Sequence, residues 1–176
     1  MVVDLDKIGK GIYCENGKIL KKLEYLFGED IFDSSKKIKF NILAEKVFSN
    51  QDELKKLNGL MFPLIKEEVE NIINNNSDKN YTVVDGAILF DCKLSSLCDY
   101  IICVKAERDR RESFLRNKNK NLSDEDIKLR MNGQYIKINK DLVNFIIENN
   151  NSKLRLYKEV RKILRKIEDQ ENSRLN

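Results

Sequence analysis

Two aspartates one residue apart, Asp4 and Asp6, close the short apolar run Met1-Val2-Val3. A carboxylate at a strand end can accept the proton of an attacking hydroxyl or help to hold Mg²⁺. The plainer alternative is two solvated turn carboxylates, with Asp6 capping the helix that follows. Asp85 and Asp91 follow apolar runs of the same kind, and cations gather at Arg108, Arg110, Arg111 and Arg116. Histidine and tryptophan are absent. That excludes imidazole acid–base catalysis, histidine metal ligation and Ser-His-Asp or Cys-His nucleophiles. Any chemistry must use carboxylates, lysines, arginines or hydroxyls. The cysteines Cys14, Cys92, Cys98 and Cys103 contain no C-x-x-C pair, so no structural zinc site is expected. Cys103, inside Tyr100-Ile101-Ile102-Cys103-Val104, reads as a buried reduced thiol, which fits a cytoplasmic location.

The elements that must carry these residues follow from periodicity. A length of 176 residues suits one domain, and a 41% hydrophobic fraction with 35% charged residues suits a soluble globular chain. No apolar run approaches the roughly 18 to 20 residues of a membrane span, and no signal peptide is visible. With one proline and seven glycines, the turns fall to asparagine, at Asn74 to Asn76 and Asn149 to Asn151. Helical spacing predicts a helix over 18–27 that stops at Gly28, a second carrying Ile38, Ile42, Leu43 and Val47, and a third over 51–60. Pro63 suits the first turn of a further long helix through Ile73.

The second half alternates strand and helix signals. Tyr81 to Asp85 reads as a buried strand meeting Gly86, Tyr100 to Val104 as another, and Asn144 to Ile147 as a third. Arg108 to Arg116 reads as a basic helix, followed by a polar loop over Asn117 to Asn121 and a helix capped by Ser123 with Asp124, Glu125 and Asp126 in its first turn. The last helix carries Leu156, Val160, Ile163, Leu164 and Ile167 on its apolar stripe. Parallel-type strands alternating with amphipathic helices indicate an α/β layered fold with ligands at the carboxyl ends of the strands. No internal repeat or linker divides the chain.

An ordered set of short matches resembles the bacterial dephospho-coenzyme A kinases. The set begins with Val2-Val3-Asp4-Leu5-Asp6-Lys7-Ile8 and Leu26-Phe27-Gly28-Glu29-Asp30-Ile31. It continues with Val47-Phe48-Ser49-Asn50 and Leu57 to Ile65, where Phe62 stands in place of the family's usual histidine. Ala87-Ile88-Leu89-Phe90-Asp91 is similar to the family's Pro-Leu-Leu-Phe-Glu, departing at Ala87 and Asp91. Arg116, Leu122 to Glu125, Arg130 and Gln134 resemble the lid helix, Lys140 falls at a lid cation, and Ile146 to Asn150 resembles the last strand and the adenine-side loop.

The resemblance implies a P-loop kinase-like three-layer parallel sheet over 1–176, with a helical substrate-binding region at about 7–76 and a lid at about 106–140. It implies ATP-dependent phosphorylation of the ribose 3′-hydroxyl of dephospho-coenzyme A, the last step of coenzyme A synthesis, with ATP and Mg²⁺ required. Asp6 would then be the general base, and Asp4, Asp85 and Leu89 would line the substrate side. Arg116, Arg130, Lys140 and Asn149 would serve ATP and the lid, with no resident protein-bound metal.

Family members begin with a strand, a Gly-x-x-x-x-Gly-Lys-Ser/Thr loop and a helix. None of these is found here, since Gly9-Lys10 is followed by Gly11 and Gly17-Lys18 by Ile19. The first βα unit is thus expected to be missing, leaving a gap of about two strand spacings, roughly 9 to 10 Å, in the sheet. A start codon internal to a longer kinase, a decayed gene, or a fold closed around the deletion with a new role would account for this, the first two being favoured. The competing readings are a non-catalytic nucleotide- or coenzyme A-binding remnant and a nucleic-acid binder. The net charge of +4 and the acids interleaved among the basic runs argue against the latter.

Overall fold

The computed structural model describes residues 1–15, 17–118, 123–133 and 138–175. Leu122 and Gln134 of the lid resemblance, and most of the polar loop, lie outside the described residues. The chain divides into two compact units, 1–94 and 95–176.

The first unit opens with strand β1 (Val2–Asp4), which passes directly into helix α1 (Leu5–Glu15), then α2 (Gly17–Phe27), α3 (Phe40–Ser49), α4 (Gln51–Asn74) and strand β2 (Val83–Asp85). β1 and β2 pair in parallel, with Val3 opposite Val84 and Asp4 opposite Asp85. One continuous core joins Val3 of β1 with Leu5 of α1, Leu23 of α2, Leu43 of α3 and Met61, Ile65 and Val69 of α4. Gly28, at φ +90°, stops α2 as expected, and its N–H donates to the Glu24 carbonyl at 2.9 Å. Lys46 of α3 donates to the Phe27 carbonyl at 2.6 Å and to Asp30 Oδ1 at 2.7 Å. The hydrogen bond from Lys46 holds the Asp30 carboxyl below its usual range. The Leu26 to Ile31 stretch therefore fastens the end of α2 to α3.

Several boundaries differ from the sequence expectation. Ile38 does not belong to α3 but forms an antiparallel bridge with Phe32. The helices expected on either side of Pro63 are one continuous helix, with Pro63 inside α4. An interior proline costs about 3 kcal/mol, because it removes one hydrogen bond and crowds the preceding turn. Burial of Met61 and Ile65, each 4% exposed, anchors the helix on both sides of it. The strand at β2 is not buried: Val83 is 53% exposed, because helices cover only one face of this two-stranded sheet.

The second unit contains β3 (Ile102–Lys105), α5 (Arg108–Lys118), α6 (Asp124–Gly133), β4 (Phe145–Glu148) and α7 (Lys153–Leu175). β3 and β4 are parallel, with Cys103 opposite Ile146 and Lys105 opposite Glu148. The buried cluster here is small, with Ile147, Ile163 and Ile167 supported by half-buried Tyr100, Phe145, Leu156 and Val160. Val104 is 60% exposed and Cys103 is half-buried, so this strand too is less covered than its apolar sequence suggests. Among the described residues the strands pair in parallel within each unit, β1 with β2 and β3 with β4.

Candidate functional site

The expected site residues fall into two groups, one in each unit. Asp4, Asp6, Asp85 and Leu89 lie in the first unit, and Arg116, Arg130, Lys140 and Asn149 lie in the second.

In the first unit the strand register puts Asp4 beside Asp85 at the carboxyl ends of two adjacent parallel strands. Asp4 caps α1: its Oδ1 accepts the N–H of Asp6 at 3.0 Å and of Lys7 at 3.1 Å. Lys7 Nζ lies 3.8 Å from Asp4 Oδ2. The capping carboxylate is therefore Asp4, and Asp6 is an exposed carboxylate in the first turn of α1. Leu5 between them is 1% exposed and points inward. It fits because residue 86 is glycine: a Cβ there would stand 2.6 Å from Leu5 Cβ and 2.7 Å from its Cδ1. Gly86 follows Asp85 directly, so one close contact locks the strand-to-helix turn that presents Asp4, Asp6 and Asp85. The need for Gly86, and the whole of α1, were not evident from periodicity. The abrupt Val-Val-Asp-Leu-Asp run followed by Lys7 and Ile8 was the available signal.

Leu89 is half-buried and packs on the same core, within a run of turns over 87–93. Here Cys92 N–H donates to the Ile88 carbonyl and Leu94 N–H to the Leu89 carbonyl, both at 2.9 Å. Asp91 sits in these turns and not at a strand end, since β2 already stops at Asp85. Burial, with the Asp91 charge beside it, pushes the Cys92 thiol up to about 11, which leaves it a neutral packing group. Phe62, at the position where a histidine was expected, packs half-buried against the core.

In the second unit, Arg116 does not stand free. Its guanidinium bonds Glu112 Oε1 at 2.8 Å and Asp124 Oδ1 at 2.7 Å, joining the end of α5 to the start of α6. The hydrogen bond from Arg116 holds the Asp124 carboxyl below the usual range. Arg130 is exposed in the last turn of α6, and Lys140 is exposed in a 3-10 turn whose N-cap, Asn139, accepts the Asp141 N–H. Asn149 follows β4, and its N–H donates to the Lys105 carbonyl at 2.7 Å. The next residue fastens this loop to the entry of α5: Asn150 Oδ1 accepts the Glu107 N–H at 2.7 Å, and its Nδ2 donates to Glu107 Oε1 at 3.2 Å. Arg110 adds a bond to the Asn151 carbonyl at 3.2 Å. The asparagine loop is thus preformed at the carboxyl ends of β3 and β4.

The first unit thus presents carboxylates at the ends of two parallel strands, and the second presents an asparagine loop beside a cation-rich helix pair. A family model for dephospho-CoA kinase matches residues 1–155. The chain belongs to the dephospho-CoA kinase family. A dephospho-CoA kinase of Borreliella burgdorferi is 30% identical over 167 residues, covering 91% of this chain and 78% of the relative. One from Bdellovibrio bacteriovorus is 26% identical, covering 97% of this chain and 86% of its own length. Among solved structures, the dephospho-CoA kinase from Campylobacter jejuni superposes with a TM-score of 0.61 at 23% identity, over 97% of this chain and 86% of that one. A Thermus thermophilus protein superposes with a TM-score of 0.72 at 20% identity, over 94% of this chain and 83% of that one. The superpositions show the α/β fold of this kinase family. No helix among the described residues is long and apolar enough to cross a membrane.

Among the described residues no three or more Cys, Asp or Glu side chains gather in a way that could hold a metal ion. Asp4 spends one oxygen on two backbone N–H groups.

Proposed function

We propose that the chain performs the acceptor side of dephospho-CoA phosphorylation, with MgATP as phosphoryl donor and the ribose 3′-hydroxyl of dephospho-CoA as acceptor. The observation that carries this reading is the pairing of Asp4 with Asp85 around the Leu5–Gly86 contact. It leaves Asp6 exposed two residues beyond the end of β1, in the capped first turn of α1, where a hydroxyl can approach. Asp6 takes the hydroxyl proton as the general base, while Asp4 positions it through the capped first turn and Asp85 and Leu89 line the acceptor side. Arg130 and Lys140 neutralise charge on the transferring phosphoryl group, Arg116 keeps the α5–α6 pair in register, and Asn149 contacts the nucleotide base.

The 176 residues hold no Gly-x-x-x-x-Gly-Lys-Ser/Thr nest for the β- and γ-phosphates. These residues alone are therefore expected to bind MgATP weakly and to turn over little. A coupled kinase assay on the chain with any in-frame sequence upstream of Met1 restored is expected to show phosphorylation of dephospho-CoA, abolished by Asp6→Asn. No activity in the restored chain, or full activity in Asp6→Asn, overturns the reading. A second reading, a coenzyme A- or nucleotide-binding module without transfer, is favoured by one observation: both carboxylates facing Arg116 already occupy its guanidinium. Calorimetry separates the two, because a pure binding module takes up dephospho-CoA without turning it over in the restored chain.

A further inference from the structure

The strongest feature outside the candidate site is on α7. Lys158, Arg161, Lys162, Arg165 and Lys166 line one open hollow of about 480 Å³. Their spacing of three and four residues places them on a single stripe, opposite the buried face of Ile163 and Ile167. Glu159, half-buried, borders the stripe three residues before Lys162, and the exposed Asp169 closes it three and four residues beyond Lys166 and Arg165. Among the described residues of this unit, ion pairs join Arg116 to Glu112 and Asp124, and Arg174 to Glu171, and none involves the five cations. The family match ends at residue 155, so the stripe lies beyond the matched segment. Five cations against Glu159, Glu168 and Asp169 leave this part of α7 net positive.

We propose that this stripe binds the phosphodiester backbone of a single-stranded nucleic acid. Five cations over about 12 Å of helix face several successive phosphates of one strand, and release of their counterions drives such binding. Tyr157, 54% exposed, lies four residues before Arg161 and so flanks the stripe; a base that stacks on its ring would do so beside Lys153, whose Nζ lies 5.7 Å from the ring centroid. A membrane surface is the poorer partner, because an interfacial helix must bury its apolar face in lipid. The apolar face of α7 is already packed within its own unit. The assignment does not depend on kinase activity.

Fluorescence anisotropy of the 176-residue chain with labelled 12-nucleotide oligo(U) and oligo(dT) tests it. Engagement of all five cations gives a log–log salt slope of about −3.5, so affinity should fall about 100-fold between 50 and 200 mM salt. The Lys158→Gln, Arg161→Gln, Arg165→Gln variant is expected to bind at least about tenfold more weakly at 50 mM salt, with a slope of about −1.4. A charge-preserving Lys158→Arg, Lys162→Arg, Lys166→Arg variant, and Arg111→Gln with Lys118→Gln on α5, should bind like the original chain. Circular dichroism confirms that each variant folds. No binding to either oligonucleotide, binding unchanged in the triple Gln variant, loss in the α5 variant, or binding only to phosphatidylglycerol vesicles overturns the proposal.

Discussion

The two units are built from opposite materials. Residues 1–94 gather two strands and four helices around one continuous apolar core, from Val3 to Leu94. Residues 95–176 bury little beyond Ile127 and the Ile147, Ile163 and Ile167 cluster, and present cations instead. In the first unit, burial of Leu5 against Gly86 gives the carboxylates of the β1–α1 turn a rigid frame. A surface that must meet phosphates needs charge in reach of solvent, which a thin core and helices with exposed cations allow. The difference teaches that placement is purchased in this chain mainly by packing in the first unit and mainly by polar tethers in the second.

Substitutions can sharpen or break this contrast. Leu23→Ala, at a fully buried position of α2, should destabilise the first unit by about 2 to 5 kcal/mol through transfer and cavity terms. Chemical denaturation followed by hydrogen exchange should show protection lost over 1–94 and retained in β3 and β4. Equal loss in both units would end the contrast.

Gly86→Ala should cost about 1 to 3 kcal/mol, since the new methyl group meets a buried Leu5 that has little room to yield. Thermal unfolding measures the loss, and Leu5→Ala in the same background should recover part of it. A simple additive loss would show that the two positions do not touch.

Asp4→Ala removes the cap of α1 and should cost about 0.5 to 2 kcal/mol, whereas Asp6→Ala should change stability much less. Denaturant titration of the two variants side by side decides which carboxylate is structural. An Asp6 loss as large as that of Asp4 contradicts the division of roles.

The smallest effect belongs to the exposed Arg116–Asp124 bond. Asp124 is held below its ordinary value of 3.8, so the contact contributes fully above that pH and disappears as pH falls through the lower folded-state value. Exchange protection at the start of α6 should therefore drop on acidification below pH 3.8 in the original chain. It should already be reduced near neutral pH in Arg116→Gln. A flat acid profile would remove the tether from the account.

Much of the arrangement is legible in the residues. Gly28 ends α2 because its φ of +90° suits glycine, and a glycine after a helical apolar stripe is a local signal. The Val-Val-Asp run announces β1, and the ordered motifs disclose the kinase family. Pro63 misleads, because local propensity marks a helix start while burial of Met61 and Ile65 carries α4 through it. Exposure of Val83 and Val104 was equally hidden, since an apolar run does not say how many faces of its sheet will be covered.

The chain alone determined which chemistry is open to it: without histidine, proton transfer rests on carboxylates, and the motif order names the acceptor. Tertiary structure decided which carboxylate does what. Asp4 and Asp6 are equivalent as letters, and only the turn around Leu5 makes one a cap and leaves the other exposed. It also decided that Arg116 is paired with Glu112 and Asp124, because charge partners are set by distance in space, not along the chain.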